Sequence, residues 1–230
     1  MVGIQYRWTV AISDRAVKPA RAYDSSRRRA QARETQQAVL RAAHDLFIAQ
    51  GYGRTTMADV ARSAGVSVET VYAAFGTKAG LLHRAWDVTI GGDDQDVPYH
   101  ERPEVRAVRA EPDLARRFHM QAALYTETAH RIVPFTLALQ AASGSEPAAE
   151  AMLEEIGRQR LAGYGVMTRD AAATGQLVVS EHECLDVLWS TCDGALWHRL
   201  INERGWSDER FAQWLGDLWT RLMTRPDVGQ

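Results

Sequence analysis

Between Thr56 and Thr77 the chain is punctuated at intervals that suit short helices joined by tight turns. Thr56-Met57-Ala58-Asp59 places a hydroxyl three residues before a carboxylate, the pair that caps a helix start reciprocally. Gly65 then supplies a residue free to adopt the positive φ at which helices end. Ser67 offers a second cap, Gly76 a second stop and Thr77 a third cap. Met57, Val60 and Ala61 recur at i, i+3 and i+4, while Val68, Val71 and Phe75 share one face of the following segment. The spacing predicts two helices of about two turns each, linked through Gly65-Val66-Ser67.

Helical periodicity continues on both sides. Val39, Ala43, Leu46 and Phe47 predict a helix over 33–50, closed by Gly51, and Leu81, Leu82, Ala85, Trp86 and Ile90 stripe a fourth helix after Thr77. Gly91 to Pro103 is acidic and rich in turn formers, so it reads as a loop. Helices are then expected over 103–110, 113–143, 147–173, 181–204 and 208–223, with Asp113 and Ser207 as caps. Pro134 is expected to kink or break the second of these. Only Leu177-Val178-Val179 looks briefly strand-like, and the expected fold class is all-α. Residues 1–30 follow neither helical nor strand period and are expected to be a flexible basic arm.

With 230 residues, one or two domains are expected. The net charge of −2 conceals a division: residues 1–85 carry +7 and residues 86–230 carry −9. Such asymmetry suits a polyanion partner for the first part, although Arg27-Arg28-Arg29 would equally make a solvated tail. Cys184 and Cys192 are too few for a disulfide scaffold, which points to a reducing, cytoplasmic setting. No run of about 18 apolar residues marks a membrane span, and Met1 to Ile12 lack the apolar stretch of a secretory signal.

Two short helices around a glycine-containing turn are what a helix-turn-helix requires, with the second helix protruding so that its first turn meets base edges in a major groove. Gly65 permits the turn, Val66 can plug the space between the helices, and Ser67 caps the second one. An ordinary helical hairpin satisfies the same spacing. The neighbours favour the first alternative: Thr55 and Thr56 offer hydroxyls, Tyr72 a phenol and Lys78 a point charge to a phosphate backbone.

The block Thr56 to Leu82 (TMADVARSAGVSVETVYAAFGTKAGLL), preceded by a helix ending Phe47-Ile48-Ala49-Gln50-Gly51-Tyr52, resembles the DNA-binding domain of the TetR family of transcriptional regulators. The resemblance covers about 50 residues. It implies a helix-turn-helix DNA-binding domain over 31–80 and a helical effector-binding and dimerisation domain over 81–230. It also implies a homodimeric, ligand-responsive repressor that binds a palindromic double-stranded operator and is released by a small-molecule effector. Ser67, Val68 and Thr70 would face DNA, Tyr72 and Lys78 would contact phosphate, and Val71 and Phe75 would belong to the core. Glu69 stands where many members have glycine and Ala73 where many have histidine. Few hydrogen-bonding groups then remain on the reading face. Thr70 can bond a base, Val68 can touch a thymine methyl, and Glu69 can accept from a cytosine amine or repel phosphate. The Arg27–Arg33 run could follow the backbone, enter a minor groove or stay solvated.

In the last two helices Leu185, Leu188, Cys192, Leu196 and Leu200 form one stripe and Phe211, Trp214, Leu215, Leu218 and Leu222 another. Five of the seven tryptophans fall here. Intrachain core is one explanation; packing against a second copy as a four-helix bundle is the other. On the second, Leu188, Cys192, Leu196, Phe211, Trp214, Leu215 and Leu218 form the dimer interface, and Gly194 lets helices approach closely. An effector pocket would draw on Trp86, His119, Tyr125, Met152, Tyr164 and Trp189, large or amphipathic groups that packing would explain equally well.

Glu181-His182-Glu183-Cys184 holds potential metal ligands, but consecutive helical residues point apart and no second pair stands at ligand spacing, so no metal or cofactor is expected. Eight residues of helix separate Cys184 from Cys192 by about 12 Å, too far for a disulfide; a redox link across a dimer stays open. No phosphate loop, nucleophile elbow or spaced carboxylate pair suggests catalysis. Two alternatives therefore accompany the repressor: a helical ligand-binding or redox-responsive regulator with weak or lost sequence-specific DNA binding, and a helical enzyme built on a group such as His119.

Overall fold

The computed structural model describes residues 25–92, 97 and 99–225; residues 1–24 of the arm expected over 1–30 and part of the Gly91–Pro103 loop lie outside them, while residues 25–30 of that arm are helical. Ten α-helices follow in order: α1 Ser25–Gln50, α2 Met57–Ala64, α3 Val68–Phe75, α4 Lys78–Gly91, α5 Pro103–Ala110, α6 Leu114–Ser143, α7 Pro147–Ala172, α8 Glu181–Thr191, α9 Ala195–Trp197 and α10 Asp208–Met223. A 3₁₀ turn, Tyr99–Glu101, precedes α5, and α9 runs directly into a π-helical turn, His198–Glu203. The described residues are all-α apart from one isolated antiparallel bridge between Leu177 and Thr224, at the stretch that looked strand-like.

The caps sit where the sequence puts them. Thr56 and Asp59 form a reciprocal capping box on α2, and Ser67, Thr77, Asp113 and Ser207 each accept from the backbone amide three residues on. These bonds satisfy amides that the first turn of a helix leaves without partners.

The long helices differ from expectation in three places. α1 begins at Ser25, eight residues before 33, so its polar, arginine-rich first turns are helical without an apolar stripe to announce them. α6 continues through Pro134 as one helix, so the proline does not break it. The single helix expected over 181–204 breaks after Thr191. Gly194 takes φ +93°, its amide donates to the Tyr125 hydroxyl at 3.1 Å, and a Cβ there would lie 3.1 Å from Val133 of α6. The close approach that Gly194 permits is thus to the chain's own α6.

Apolar side chains collect in two clusters. The first joins Val39, Ala43 and Phe47 of α1, Met57, Val60 and Ala61 of α2, Val71 of α3 and Leu81, Leu82, Ala85 and Trp86 of α4 to Phe135, Leu139 and Ala142 of α6 and Ala149 and Met152 of α7. The second unites the earlier part of α6 (Leu114, Phe118, Ala122, Tyr125, Ala129, Val133) with Tyr164, Cys184, Leu188, Trp197 and the inner face of α10. The division between the clusters falls inside α6, between Val133 and Phe135, with Pro134 on the seam. The core of α1–α3 is therefore continuous with that of α4, α6 and α7. Phe135 is fully buried against the rings of His44, Phe47 and Trp86, at centroid distances of 5.7, 6.2 and 6.0 Å.

Candidate nucleic-acid interface

The turn between α2 and α3 is closed by two backbone bonds, Gly65 N to Arg62 O at 3.3 Å and Val66 N to Ala61 O at 3.0 Å, with Gly65 at φ +70°. Val66 packs against the first cluster, and Ser67 Oγ accepts from the Thr70 amide at 3.2 Å. α3 consequently rests on Val71 and, in part, Val68 and Phe75, and turns Glu69, Thr70, Tyr72, Ala73 and Ala74 outward. It is a short convex helix with one thinly anchored face.

Ser67, Glu69, Thr70 and Tyr72 stand on this exposed surface, with the Tyr72 ring half exposed. The Ser67 and Thr70 hydroxyls lie 3.1 Å apart. The Glu69 carboxyl is held below the ordinary carboxylate range by its own backbone amide and by the Ser67 hydroxyl, so it is a carboxylate at the positive end of α3. Lys78 begins α4 beside this face. Its Nζ donates to the Gly53 carbonyl at 3.4 Å and lies 4.1 Å from the centroid of the Tyr52 ring, a cation–π distance. Partial burial lowers the ammonium pKa, and the Glu146 carboxylate opposes that shift.

Three expected DNA contacts are corrected or narrowed. Thr55 is buried, and its hydroxyl donates to the Gly51 carbonyl at 2.9 Å, so it braces the α1–α2 turn and has nothing left for phosphate. Val68 packs against the first cluster, as its spacing from Val71 and Phe75 dictates, which leaves little of it for a thymine methyl. Thr56 is exposed, yet its hydroxyl donates to Asp59 Oδ2 at 2.6 Å as part of the cap. Sequence reasoning missed Gly53, Arg54 and Glu146. Arg54 is exposed on the α1–α2 turn, and Glu146 comes from the α6–α7 corner to within 3.3 Å of where a Gly53 Cβ would be. No periodicity marks a contact across 93 positions.

The six expected pocket residues are not gathered around one cavity. Trp86 and Met152 are buried in the first cluster, Trp86 Nε1 donating to Gln159 Oε1 at 3.4 Å. Tyr125 and Tyr164 are buried in the second, where desolvation raises both phenol pKa values. His119 lies on the α6–α10 seam with Nε2 3.0 Å from Asp217, and Trp189 is 40% exposed under the Arg160 guanidinium. A small cleft of about 20 Å³ lies at the edge of the second cluster between Arg117, Gln121, Met167 and Asp170, and a surface groove of about 340 Å³ runs along α10 between Trp214, Leu218, Arg210 and Arg221.

The expected dimer stripe also divides. Leu188, Cys192, Phe211 and Leu215 are buried in the second cluster and present no surface to a partner, whereas Leu196, Trp214 and Leu218 remain partly exposed, with Leu222 half exposed beside them. Both helices have two apolar faces, and only packing decides which one the chain covers itself. Both thiols are buried with raised pKa, Cys192 pushed up to about 12 by desolvation. Among the described residues no group of three His, Cys, Asp or Glu side chains could hold a metal ion, and no helix is long and apolar enough to cross a membrane.

A protruding capped helix at the end of an all-helical body, flanked by a lysine and set in the cationic part of the chain, defines a DNA-binding transcriptional regulator of the helix-turn-helix class. Residues 39–85, the segment that holds α2, α3 and parts of α1 and α4, match the family described as bacterial regulatory proteins, tetR family. No curated protein matches it. Among solved structures it is similar in fold to native NalD, the secondary repressor of the MexAB-OprM multidrug efflux pump in Pseudomonas aeruginosa (TM-score 0.62, 18% identity, covering 86% of this chain and 100% of that one). It is also similar to the SmeT–triclosan complex (TM-score 0.59, 18% identity, 85% and 94%). A third is a protein from Saccharomonospora viridis in complex with choline (TM-score 0.62, 17% identity, 84% and 100%).

Proposed function

We propose that the chain is a ligand-responsive repressor that binds a palindromic operator as a homodimer and leaves it when a small-molecule effector binds. The observation that carries this is the outer face of α3: Ser67, Glu69, Thr70 and Tyr72 are exposed together on a helix whose cap and turn hold it clear of the body, with Lys78 alongside. Thr70 and Glu69 read bases; Tyr72 and Lys78 hold the backbone. Two copies of α3 reach successive major grooves when about 34–36 Å apart. The partly exposed Leu196, Trp214, Leu218 and Leu222 supply an apolar surface for the pairing. Effector binding favours whichever spacing the ligand prefers, and DNA is lost by that difference in affinity. Structures of this fold with triclosan and with choline support a small organic ligand for this chain; Tyr125 and Tyr164 are buried, so a ligand that reached them would have to part the helices around them.

The test is binding of the purified protein to the DNA upstream of its own gene, read by anisotropy and footprinting. Two protected half-sites about one helical turn apart are expected, with affinity falling linearly in log salt. Thr70→Ala and Tyr72→Ala should each weaken binding, the first by altering sequence preference and the second uniformly. Monomeric protein, or occupancy unchanged in both variants, overturns the proposal. The exposed Ala73 and Ala74 leave few readers on α3 and favour, as a second reading, a ligand-binding regulator of low sequence specificity. The buried thiols weigh against its redox-responsive form, because a thiol pushed up to about 12 holds almost no thiolate at neutral pH.

A further inference from the structure

We infer that Glu146, at the corner between α6 and α7, restrains the phosphate contact of Lys78, so that the C-terminal body sets how strongly the N-terminal helices hold DNA. This rests on the DNA-binding reading above and adds to it the residue through which the body acts.

Gly53 is the meeting point. On one side Lys78 Nζ donates to its carbonyl at 3.4 Å, and on the other Glu146 Oε1 stands 3.3 Å from where a Gly53 Cβ would be. Tyr52, next in sequence, lies beneath the ammonium at 4.1 Å and also feels the Glu146 charge. The lysine head is therefore held by a carbonyl, a ring face and the field of a carboxylate from the far part of the chain. A DNA phosphate must compete with all three for one compact cation.

The corner that carries Glu146 is fixed to α6 and α7. Its amide donates to Ala142 O at 2.9 Å and its carbonyl accepts from Ala149 N at 2.9 Å, while Ala149 and Met152 are buried in the cluster that also holds α1–α4. α6 reaches from this corner through Phe135 and Pro134 into the second cluster, around Tyr125. A rearrangement among the C-terminal helices that shifts α6 or α7 moves Glu146 relative to Lys78, and the hold of Lys78 on phosphate changes with it. Glu146 is a positioning residue, acting through Lys78 without touching DNA.

The experiment uses the full chain and a fluorescein-labelled random-sequence duplex of about 30 base pairs, because phosphate contacts are independent of sequence. Anisotropy titrations across a salt series compare wild type, Glu146→Gln, Glu146→Asp, Lys78→Ala and the Glu146→Gln/Lys78→Ala double variant. Removing one unit charge from near the ammonium should tighten binding about fivefold at low salt, with a log–log salt slope steeper by up to about 1. Glu146→Asp keeps the charge and should stay within about twofold of wild type. On the Lys78→Ala background Glu146→Gln should add nothing. If Lys78→Ala weakens binding but Glu146→Gln equals wild type, the inference falls and the DNA reading stands. An equal gain on both backgrounds also overturns it, since that gain would be general repulsion. Weakening by Glu146→Gln and Glu146→Asp alike assigns the residue a structural role and overturns it too. Wild type that shows no salt-dependent binding removes the DNA reading, and the inference with it.

Discussion

Phe135 is the side chain on which the unity of the molecule can be tested. It belongs to α6, yet it is fully buried among His44, Phe47 and Trp86 of α1 and α4. Burying a phenyl side chain removes about 150–250 Å² from water, and each well-placed aromatic pair adds about 0.5–1.5 kcal/mol to the transfer contribution. Phe135→Ala should therefore cost about 3–5 kcal/mol, including the cavity it leaves. At about 2–4 °C per kcal/mol for a chain of this size, that lowers Tm by roughly 6–20 °C. Phe135→Leu keeps the apolar contact, loses the ring pairs and should cost about 1–2 kcal/mol. Calorimetry and urea unfolding, followed by the intrinsic fluorescence of Trp86 and the C-terminal tryptophans, would measure both variants. Because the first cluster has no boundary at the start of α4, wild type should unfold in one transition and Phe135→Ala should lower all of it. Two independent wild-type transitions, or a loss below about 1.5 kcal/mol in Phe135→Ala, would refute the shared core.

The other predictions concern local features. Thr55→Val removes the hydroxyl that donates to Gly51 and should cost about 1–2 kcal/mol of stability while leaving the salt dependence of DNA binding unchanged. Gly216→Ala places a methyl 2.6 Å from His119 Cδ2 and should cost about 1–3 kcal/mol by forcing α10 off α6, read by chemical denaturation. Burial raises the pKa of Cys192 to about 12 from an ordinary 9.0, and it raises those of Tyr125 and Tyr164 as well. The unfolded chain then gives up these protons first. The contribution is intact below the ordinary thiol and phenol range and is lost as pH rises from about 9 toward 12. Urea midpoints across that interval should fall, and Cys192→Ala should make the fall shallower. For the same reason neither thiol should react quickly with a disulfide reagent in native protein at pH 8; rapid labelling would contradict the burial of Cys184 and Cys192.

Much of this was legible in residue order. A cap, a stop and an apolar stripe are local signals, and they placed α2, α3 and α4, the caps at Thr56, Ser67, Thr77, Asp113 and Ser207, and the exposed Thr70 and Tyr72. They failed where a decision depended on a distant partner. Thr55 looks like a free hydroxyl until the α1–α2 turn closes over it, and Gly216 is one glycine among 17 until α6 crosses it.

The sequence by itself determined that the chain is helical, where most helices begin and end, and that two short helices flank a glycine turn, because those outcomes depend on neighbours within about one turn. Tertiary structure alone decided which apolar face of α8 and α10 the chain covers itself, that α6 belongs to two clusters with Pro134 between them, and that Glu146 stands across Gly53 from Lys78. Those outcomes depend on how helices far apart in sequence fill one another's grooves, and the period of a single helix carries no record of its partner.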